Sequence, residues 1–510
     1  MTERPNILLI TTDQQHYSAL GCVTPGLKTP NIDRLCAGGT RFDRAYCPAP
    51  TCTPSRASIL TGLYPSQHGA WTIGCKLDEA TPTLPGLLSR AGYTTGLIGK
   101  AHFQPLAGDS LEKQPILRDL EFWRGFNGPY YGFDHIELVR NHADEAHVGQ
   151  HYAAWMEDRG LANWRDYFQP LPGEEAPLAP KMAEGAPYWA RETRSWALPE
   201  DKHYTPWIGE RSRAFIDDAA DRGEPFFLWT SFPDPHPPYT VPEPWASMYD
   251  PEDMEPGAVT PGEHALNAPH FAKTQQAAPD FADWHQPHEA HGCASHLYSR
   301  AALKKDMAVY YGMMSFMDRE IGKILDRLDA LGLTENTLIV FTTDHGHFLG
   351  QHGLVAKGPF HYEDMLRIPF AVRWPGKVRA GAVNSSIQTL LDLAPTMLDA
   401  AGVAAPPMQG LSQLEHWQGK APPPRDHALC ENRHNPLAPH VTSYIGARFK
   451  ISVYRTEEHG EIFDLETDPG EVNNLWTDPG STRLRATLLQ KMVQAIQAAE
   501  PLKSPRVAQA

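Results

Sequence analysis

The chain has 510 residues, of which 41% are hydrophobic and 21% charged, a composition that is ordinary for a globular protein with a large core. Its formal net charge of −16 at pH 7 is opposite in sign to that of a nucleic-acid or polyanion binder, so no nucleic-acid partner is expected. An anionic substrate would have to be met by a local cluster of positive side chains.

The cysteines indicate a reducing environment. They lie at positions 22, 36, 47, 52, 75, 293 and 430, an odd number whose spacings form no C-x-x-C pair. This pattern predicts neither a disulfide framework nor a structural zinc site. The apolar run after Pro5 is too short for a signal peptide, and no stretch of about 18 apolar residues could span a membrane. We therefore expect a cytoplasmic protein with no membrane partner.

The first half of the chain alternates apolar runs of strand length with a helical pattern. Residues 5–12 and 94–99 are predicted strands, and residues 83–90 between them are a predicted helix that ends at Gly92. Residues 225–231 form a third apolar run. Continuous apolar strands are typical of a parallel sheet that is buried on both faces.

Two segments interrupt this alternation and are interpreted as insertions. Residues 104–205 are rich in Trp, Tyr, Pro and charge, and residues 240–300 in Pro, Ala and His. Segments of this length are usually lids or contacts between subunits, so a homo-oligomeric state is one of the possibilities. His285, His288 and His291 suggest a metal site, but no carboxylate or cysteine accompanies them, and ordinary loop histidines are the favoured interpretation.

The second half of the chain returns to the same pattern. Residues 306–331 are a predicted amphipathic helix, residues 337–343 and 368–374 are predicted strands, and residues 386–401 are a predicted helix broken near Pro395.

A smaller unit with a different pattern closes the chain. The three prolines at 422–424 are predicted to form a linker. Residues 442–454 and 461–465 are each predicted to be a strand, and residues 482–499 a final helix.

These elements predict an α/β fold with a mostly parallel central sheet sandwiched by helices and a small C-terminal α+β subdomain. The predicted division is a catalytic domain over residues 1–435, which contains both insertions, and a subdomain over residues 436–510 with a small antiparallel sheet and the final helix.

Polar residues follow four of the predicted strands at their carboxyl ends, which is the edge where open α/β sheets bind ligands. They are Asp13, Lys100, His102, His236, Asp344 and His345. The pattern therefore predicts one site that combines carboxylates, imidazoles and a lysine.

Part of this set has the chemistry of a metal site. Asp13, Gln14 and Asp344 offer carboxylate and amide oxygens, and His345 offers an imidazole. Oxygen donors suit Ca²⁺, Mg²⁺ or Mn²⁺, and the imidazole favours Mn²⁺ or a softer ion.

Other residues could form a positive pocket for an anion. Arg56 lies at the start of a helical pattern, where both a guanidinium and a helix N-terminus favour an anion. Lys100 and His102 alternate beyond a strand, so both can reach the same site, and Lys357 is a further candidate. His236 and Lys357 are the candidates for donating a proton to a leaving group.

The stretch Cys52-Thr53-Pro54-Ser55-Arg56 resembles the signature at which type I sulfatases convert a cysteine to formylglycine. Further matches extend nearly from end to end, at residues 5–8, 29–35, 61–69, 99–102, 235–236, 343–346, 349–353, 357–358, 463–465 and 468–471. Together they resemble the formylglycine-dependent sulfatases of the alkaline phosphatase superfamily, where arylsulfatases and phosphonate monoester hydrolases share one scaffold.

The resemblance implies a nucleophile made from Cys52 by a formylglycine-generating enzyme. One hydroxyl of the hydrated aldehyde would attack sulfur or phosphorus, and the second would collapse to the aldehyde and expel the anion. A bare thiol offers no comparably easy release step.

The resemblance also implies roles for the other candidates. One divalent ion, Ca²⁺ or Mn²⁺, would be bound by Asp13, Asp344, His345 and the modified Cys52, with Gln14 as a further ligand. Arg56 would hold the formylglycine. The residues that would grip the sulfate and serve the leaving oxygen are Lys100, His102, His236 and Lys357.

Three functions remain open from the sequence. The first is hydrolysis of a sulfate ester, with a small or aryl sulfate as substrate. The pair Asp13-Gln14, where many sulfatases have two acids, also resembles phosphonate monoester and phosphodiester hydrolases, whereas Lys100 and His102 resemble the sulfatase pair. The third is a non-catalytic metal-binding relative with an unmodified Cys52, and the presence of Arg56 and Lys357 argues against it.

Overall fold

The computed structural model describes residues 4–182, 190–277, 280–281, 298–433, 439–456 and 458–500, so His285, His288 and His291 lie outside the described residues. The strands are β1 (Asn6–Thr12), β2 (Thr40–Phe42), β3 (Ala45–Tyr46), β4 (Thr94–Gly99), β5 (His135–Leu138), β6 (Phe226–Ser231), β7 (Thr337–Thr343), β8 (Phe348–Leu349), β9 (Val355–Ala356), β10 (Arg367–Ile368), β11 (Phe370–Arg373), β12 (Ala382–Asn384), β13 (Gln388–Thr389), β14 (Ala428–Arg433), β15 (His440–Ile445), β16 (Phe449–Tyr454) and β17 (Gly460–Asp464). The helices are α1 (Pro30–Ala37), α2 (Cys52–Thr61), α3 (Pro65–His68), α4 (Leu84–Arg90), α5 (Leu120–Gly125), α6 (Gln150–Asp158), α7 (Tyr204–Arg222), α8 (Pro269–Lys273), α9 (Arg300–Ala330), α10 (Glu363–Leu366), α11 (Leu393–Ala400), α12 (Leu414–Trp417) and α13 (Thr482–Ala498).

An eight-stranded sheet with the order β12-β2-β11-β7-β1-β6-β4-β5 forms the centre of the fold. The five strands from β7 to β5 are parallel, and β11 joins them in the antiparallel direction. The carboxyl ends of these five strands therefore meet at one edge. The predicted fold class, a mostly parallel sheet within an α/β architecture, is confirmed.

Helices cover both faces of this sheet, and the alternation of side chains along β1 shows why. Leu8 and Ile10 join the apolar core beneath α1, α7 and α9, whereas Ile7 and Leu9 join the core beneath α2, α4 and α11. Successive residues of a strand point to opposite faces, so a strand buried on both sides is apolar at every position.

The C-terminal region contains the antiparallel sheet β14-β15-β16-β17, against which α13 packs through Leu488 and Met492. The single strand predicted over residues 442–454 is wrong, because β15 and β16 form a hairpin in which the Gly446 amide donates to the Phe449 carbonyl at 2.9 Å. The domain division at residue 435 stays a prediction, and β14 lies on its N-terminal side.

Two predicted helices begin elsewhere. The helix predicted over residues 386–401 is wrong at its start, where β13 and a 3₁₀ turn precede α11, and Pro395 lies in the first turn of α11 without breaking it. Proline is tolerated there because the first amides of a helix have no intrahelical acceptor. The long helix α9 begins at Arg300, six residues before the predicted start, and the Ser299 side chain accepts a hydrogen bond from the Ala302 amide.

Part of the first predicted insertion belongs to the central sheet, since β5 pairs with β4 at its edge. The described cysteines form no disulfide with one another. Among the described helices, none has both the length and the apolar character that crossing a bilayer requires.

Gly99 ends β4 and places the next residue, Lys100, at the sheet edge. Its φ is +112°, and a methyl group there would overlap the Ser231 carbonyl oxygen. We expect Gly99→Ala to lower the free energy of unfolding by about 3–5 kcal/mol, because left-handed strain adds to overpacking. Urea denaturation measures this loss.

Gly108→Ala is the matched control for Gly99→Ala. Gly108 also has a positive φ, +73°, but among the described residues nothing lies within 4 Å of the added methyl group. Its expected cost is about 1–2 kcal/mol. Equal losses in the two variants would contradict the close approach of Gly99 to β6.

Candidate active site

The carboxyl edge of the central sheet brings together most of the predicted site residues. Asp13 follows β1, Lys100 follows β4, His236 lies five residues beyond β6, and Asp344 and His345 follow β7. Each of these side chains is buried. The structure therefore gathers them at one edge, as the positions of the strands predict.

Cys52 is the first residue of α2 and faces this edge with its side chain 1% exposed. Its Sγ lies 3.2 Å from Lys357 Nζ, 3.3 Å from His345 Nε2 and 3.7 Å from Asp13 Oδ1. Burial and Asp13 would raise the pKa of the thiol, but the charges of Lys100 and Lys357 outweigh them and lower it. The environment of residue 52 thus favours an anion.

Arg56 lies one turn further along α2 and is completely buried. Its Nε donates to Asp344 Oδ2 at 2.8 Å, and NH2 donates to Asp13 Oδ2 at 3.1 Å. NH1 donates to the Ser231 hydroxyl at 2.8 Å and to the Lys100 carbonyl at 3.0 Å. A buried guanidinium needs such partners, and here it fixes the two carboxylates relative to α2.

The carboxylates form a group with the chemistry of a divalent metal site. One donor atom from each of Asp13, Cys52, Asp344 and His345 lies within 4.8 Å of the others. His345 Nδ1 donates to the Gly346 carbonyl at 3.0 Å, which leaves the Nε2 lone pair for a ligand. Carboxylate oxygens suit hard ions such as Ca²⁺, and an imidazole also suits Mn²⁺, so this donor set fits either divalent ion.

Gln14 adds an oxygen to this group. Its backbone amide donates to Asp344 Oδ1 at 3.1 Å. Its side-chain Oε1 is buried and has no hydrogen-bond partner among the described residues. An unpaired buried acceptor is costly, so its presence beside two carboxylates suits a ligand to a cation.

Two lysines and two stacked imidazoles line the other side of Cys52. Lys100 Nζ contacts both Asp13 Oδ2 and His142 Nε2. Lys357 Nζ lies 2.9 Å from His236 Nε2, and the rings of His142 and His236 stack with centroids 3.7 Å apart. Both imidazoles accept a hydrogen bond from an ammonium, an arrangement that requires them to be neutral at these nitrogens.

The pKa values of the two imidazoles agree with this geometry. Burial and the Lys100 charge lower the pKa of His142 to about 4. Burial, with His142 and Lys357, lowers the pKa of His236 well below its usual value. In the neutral pH range His142 and His236 therefore add no positive charge beside Cys52.

His102 is buried two residues beyond Lys100, with a φ of +59°. Burial and Arg140 lower its pKa well below the usual value for histidine. Its Nδ1 has no hydrogen-bond partner in the described part of the chain.

Sequence reasoning missed several residues of the site. His142 lies four residues beyond the end of β5, and Glu145 Oε2 lies 2.8 Å from its Nδ1. The rule that polar residues follow strands could have found His142, but the segment was interpreted as an insertion. His347, which contacts the Gln14 side chain, was also missed. So was Tyr239, which contacts His347 in turn.

Comparisons with known proteins identify families and relatives that this chain resembles. A family model described as Sulfatase matches residues 5–403, and one described as N-sulphoglucosamine sulphohydrolase, C-terminal, matches residues 350–498. The chain is 29% identical over 479 residues to an arylsulfatase of Clostridium perfringens, covering 91% of this chain and 89% of that protein.

Solved structures share the same fold. A phosphonate monoester hydrolase of Agrobacterium radiobacter superposes with a TM-score of 0.76 at 25% identity, covering 98% of this chain and 96% of that one. A phosphonate monoester hydrolase from Silicibacter pomeroyi superposes with a TM-score of 0.78 at 23% identity over the same shares.

Proposed function

The chain belongs to the sulfatase family and is a sulfuric ester hydrolase, and we propose that it acts through Cys52 converted to formylglycine. The observation that carries the proposal is the place of Cys52, at the first residue of α2 and within 3.3 Å of both Lys357 Nζ and His345 Nε2. A nucleophile there lies between a cation that can bind the substrate anion and a group that can bind a metal.

As a hydrated aldehyde, residue 52 would supply one hydroxyl for attack and a second whose collapse to the aldehyde releases the sulfate. The surrounding residues prepare this chemistry. Lys100 and Lys357 place positive charge where the three sulfate oxygens would lie, in a chain whose overall charge is −16. Because these ammonium groups are buried, their attraction for an anion is weakly screened.

We assign one divalent ion, Ca²⁺ or Mn²⁺, to Asp13, Gln14, Asp344, His345 and residue 52. The donor set and the unpaired Gln14 oxygen support this assignment. The ion would supply Lewis acidity that favours ionisation of the nucleophile. Arg56 keeps both carboxylates in place through Nε and NH2, which is a wider role than contact with residue 52 alone.

Lys357 is our candidate for the proton donor to the leaving oxygen. Its ammonium contacts Cys52 Sγ, and His236 Nε2 accepts one of its hydrogen bonds, which orients the ammonium so that another N–H can donate its proton to the leaving oxygen. His102 is assigned to the rim that grips the sulfate, together with Lys100.

We propose a small or aryl sulfate as substrate, with hydrolysis of phosphonate monoesters or phosphodiesters as the second candidate. Gln14, His345 and the likeness to a phosphonate monoester hydrolase at 25% identity favour the second candidate. Lys100 and His102 favour the first.

The kcat/KM for 4-nitrophenyl sulfate is expected to exceed that for 4-nitrophenyl phenylphosphonate by at least about 10-fold, because the sulfate ester offers three terminal oxygens to the ammonium groups of Lys100 and Lys357, whereas the phosphonate ester offers two. Steady-state assays of both esters on one preparation measure this ratio. A ratio below one would make phosphonate hydrolysis the main activity. Equal loss of both activities in Lys100→Asn would show that Lys100 does not discriminate between the esters.

Maturation requires a partner that oxidises the thiol, and we propose a formylglycine-generating enzyme that acts on the signature at residues 52–56.

The cytoplasmic location and a homo-oligomeric state stay predictions from the sequence.

A further inference from the structure

The Gln14 amide is held in one direction by its neighbours. Gln14 follows Asp13 with a φ of +59°, and its Nε2 lies 2.8 Å from His347 Nδ1. An amide NH₂ can only donate, so His347 Nδ1 must accept with its lone pair. This contact directs the NH₂ toward His347 and leaves Oε1 as a buried oxygen with no partner in the described part of the chain.

His347 is itself fixed by a second set of contacts. A neutral imidazole that accepts at Nδ1 carries its proton on Nε2, which lies 2.7 Å from the Tyr239 hydroxyl. The ring is completely buried and stacks on Tyr310, with centroids 5.2 Å apart and an interplanar angle of 7°.

The backbone of Gln14 is held in the same region. The Tyr310 hydroxyl, which accepts from the His16 amide at 2.8 Å, lies 3.4 Å from the Gln14 carbonyl. Tyr310 therefore touches both the backbone of Gln14 and the ring that orients its side chain. These contacts leave the amide little freedom to rotate.

We propose that His347, supported by Tyr239, is a positioning residue that keeps the Gln14 oxygen turned toward the divalent metal. This proposal rests on the metal site proposed above. If the amide rotated by half a turn, the NH₂ group would face the cation, and an N–H cannot act as a ligand. His347 would thus control metal affinity without touching the metal, and it would do so as a hydrogen-bond acceptor.

Two substitutions of His347 separate the acceptor from the rest of the side chain. His347→Asn can place a carbonyl oxygen near the position of Nδ1, whereas His347→Leu removes the acceptor and keeps a side chain of similar bulk. We expect His347→Leu to weaken Mn²⁺ and Ca²⁺ binding by about 10–100-fold and His347→Asn by less than about 3-fold. Titration of metal-free protein against a chromophoric chelator measures both constants without an activity assay.

Matched controls cover a general effect of losing a buried histidine. His361 is also buried, and its Nδ1 lies 2.6 Å from the Ser443 hydroxyl, away from Gln14. His361→Leu should leave the metal dissociation constants unchanged. Thermal unfolding of each metal-free variant shows whether it is folded before the titration.

A second comparison, in which His347→Leu is added to the variant Gln14→Glu, keeps the test decisive if His347→Leu alone folds poorly. Gln14→Glu presents a carboxylate, whose two oxygens are equivalent, so its direction no longer depends on an acceptor at His347. Adding His347→Leu to Gln14→Glu should weaken metal binding by less than about 3-fold. The proposal would be overturned if His347→Leu weakened metal binding equally in the wild type and in Gln14→Glu. It would also be overturned if His347→Leu bound metal with wild-type affinity.

The titrations also distinguish this proposal from the one on which it depends. If the wild type and Asp344→Asn bind Mn²⁺ with the same affinity and Ca²⁺ with the same affinity, the proposed metal site itself is wrong. If the wild type binds metal, Asp344→Asn does not, and His347→Leu equals the wild type, only the role of His347 is wrong.

Discussion

Replacing Cys52 with alanine is expected to lower kcat/KM for 4-nitrophenyl sulfate by at least about 10⁴-fold, because removing a covalent nucleophile removes the main route to products. The fold should survive. Cys52 Sγ makes polar contacts with Lys357, His345 and Asp13 at the first residue of α2, and this helix stays anchored in the apolar core through Ala57, Ile59 and Leu60. Initial-rate assays and thermal unfolding of the same preparation measure the two effects.

Cys47→Ala is the control, since Cys47 is equally buried but contacts the Met365 carbonyl, at 3.7 Å, and Cys430, which both lie outside the site. It should keep nearly full activity. Cys52→Ser adds a sharper test, because a serine hydroxyl can attack once but has no second hydroxyl with which to release the sulfate. We expect one burst of product and then no turnover. Full activity in Cys52→Ala would exclude residue 52 as the nucleophile.

Removing the divalent ion is expected to lower the sulfatase rate by at least about 10³-fold, and Ca²⁺ or Mn²⁺ should restore it. The physical reason is the charge around residue 52. Asp13 and Asp344 face the nucleophile, and without the ion they would oppose its ionisation. Chelator treatment, elemental analysis of the treated protein and rate measurements after each metal is added back test this expectation.

Asp344→Asn is the genetic counterpart of chelation. It removes one carboxylate but keeps an oxygen that can accept from the Gln14 and His345 amides, which Oδ1 now does at 3.1 and 3.0 Å. It should reduce activity at low metal concentration and recover part of it at high concentration. An unchanged rate after verified metal loss would contradict the metal assignment.

The sequence predicted which residues lie close together where a single physical rule applied. The carboxyl ends of parallel strands meet at one edge, so Asp13, Lys100 and Asp344 could be placed together from strand patterns alone. Cys52 was found by its local signature. Neither rule required knowledge of side-chain packing.

The same rules failed where a strand was short or polar. Strand β5 (His135–Leu138) is a four-residue strand with two polar residues, so its pattern did not stand out from the surrounding segment and His142 was missed. The contacts of Arg56 with both carboxylates depend on how α2 docks on the sheet, which no local pattern reports. The role that we propose for His347 depends on a hydrogen bond to a residue 333 positions away.

The errors in the fold have a similar origin. Alternating polarity continued through both arms of the β15–β16 hairpin, so residues 442–454 resembled one strand, and only Gly446 indicated the reversal. Pro395 was treated as a break because proline disrupts helix interiors, but its position in the first turn of α11 is one where proline is tolerated. In each case the residue types were informative, and the position within the element decided the outcome.

The mass of the tryptic peptide spanning residues 45–56 tests the central claim most directly. Conversion of Cys52 to formylglycine replaces the thiol with an aldehyde and lowers the peptide mass by about 18 Da, and fragmentation separates this change from Cys47. We predict that the converted fraction of a preparation equals its active fraction. A fully active preparation in which residue 52 retains the mass of cysteine would contradict the account.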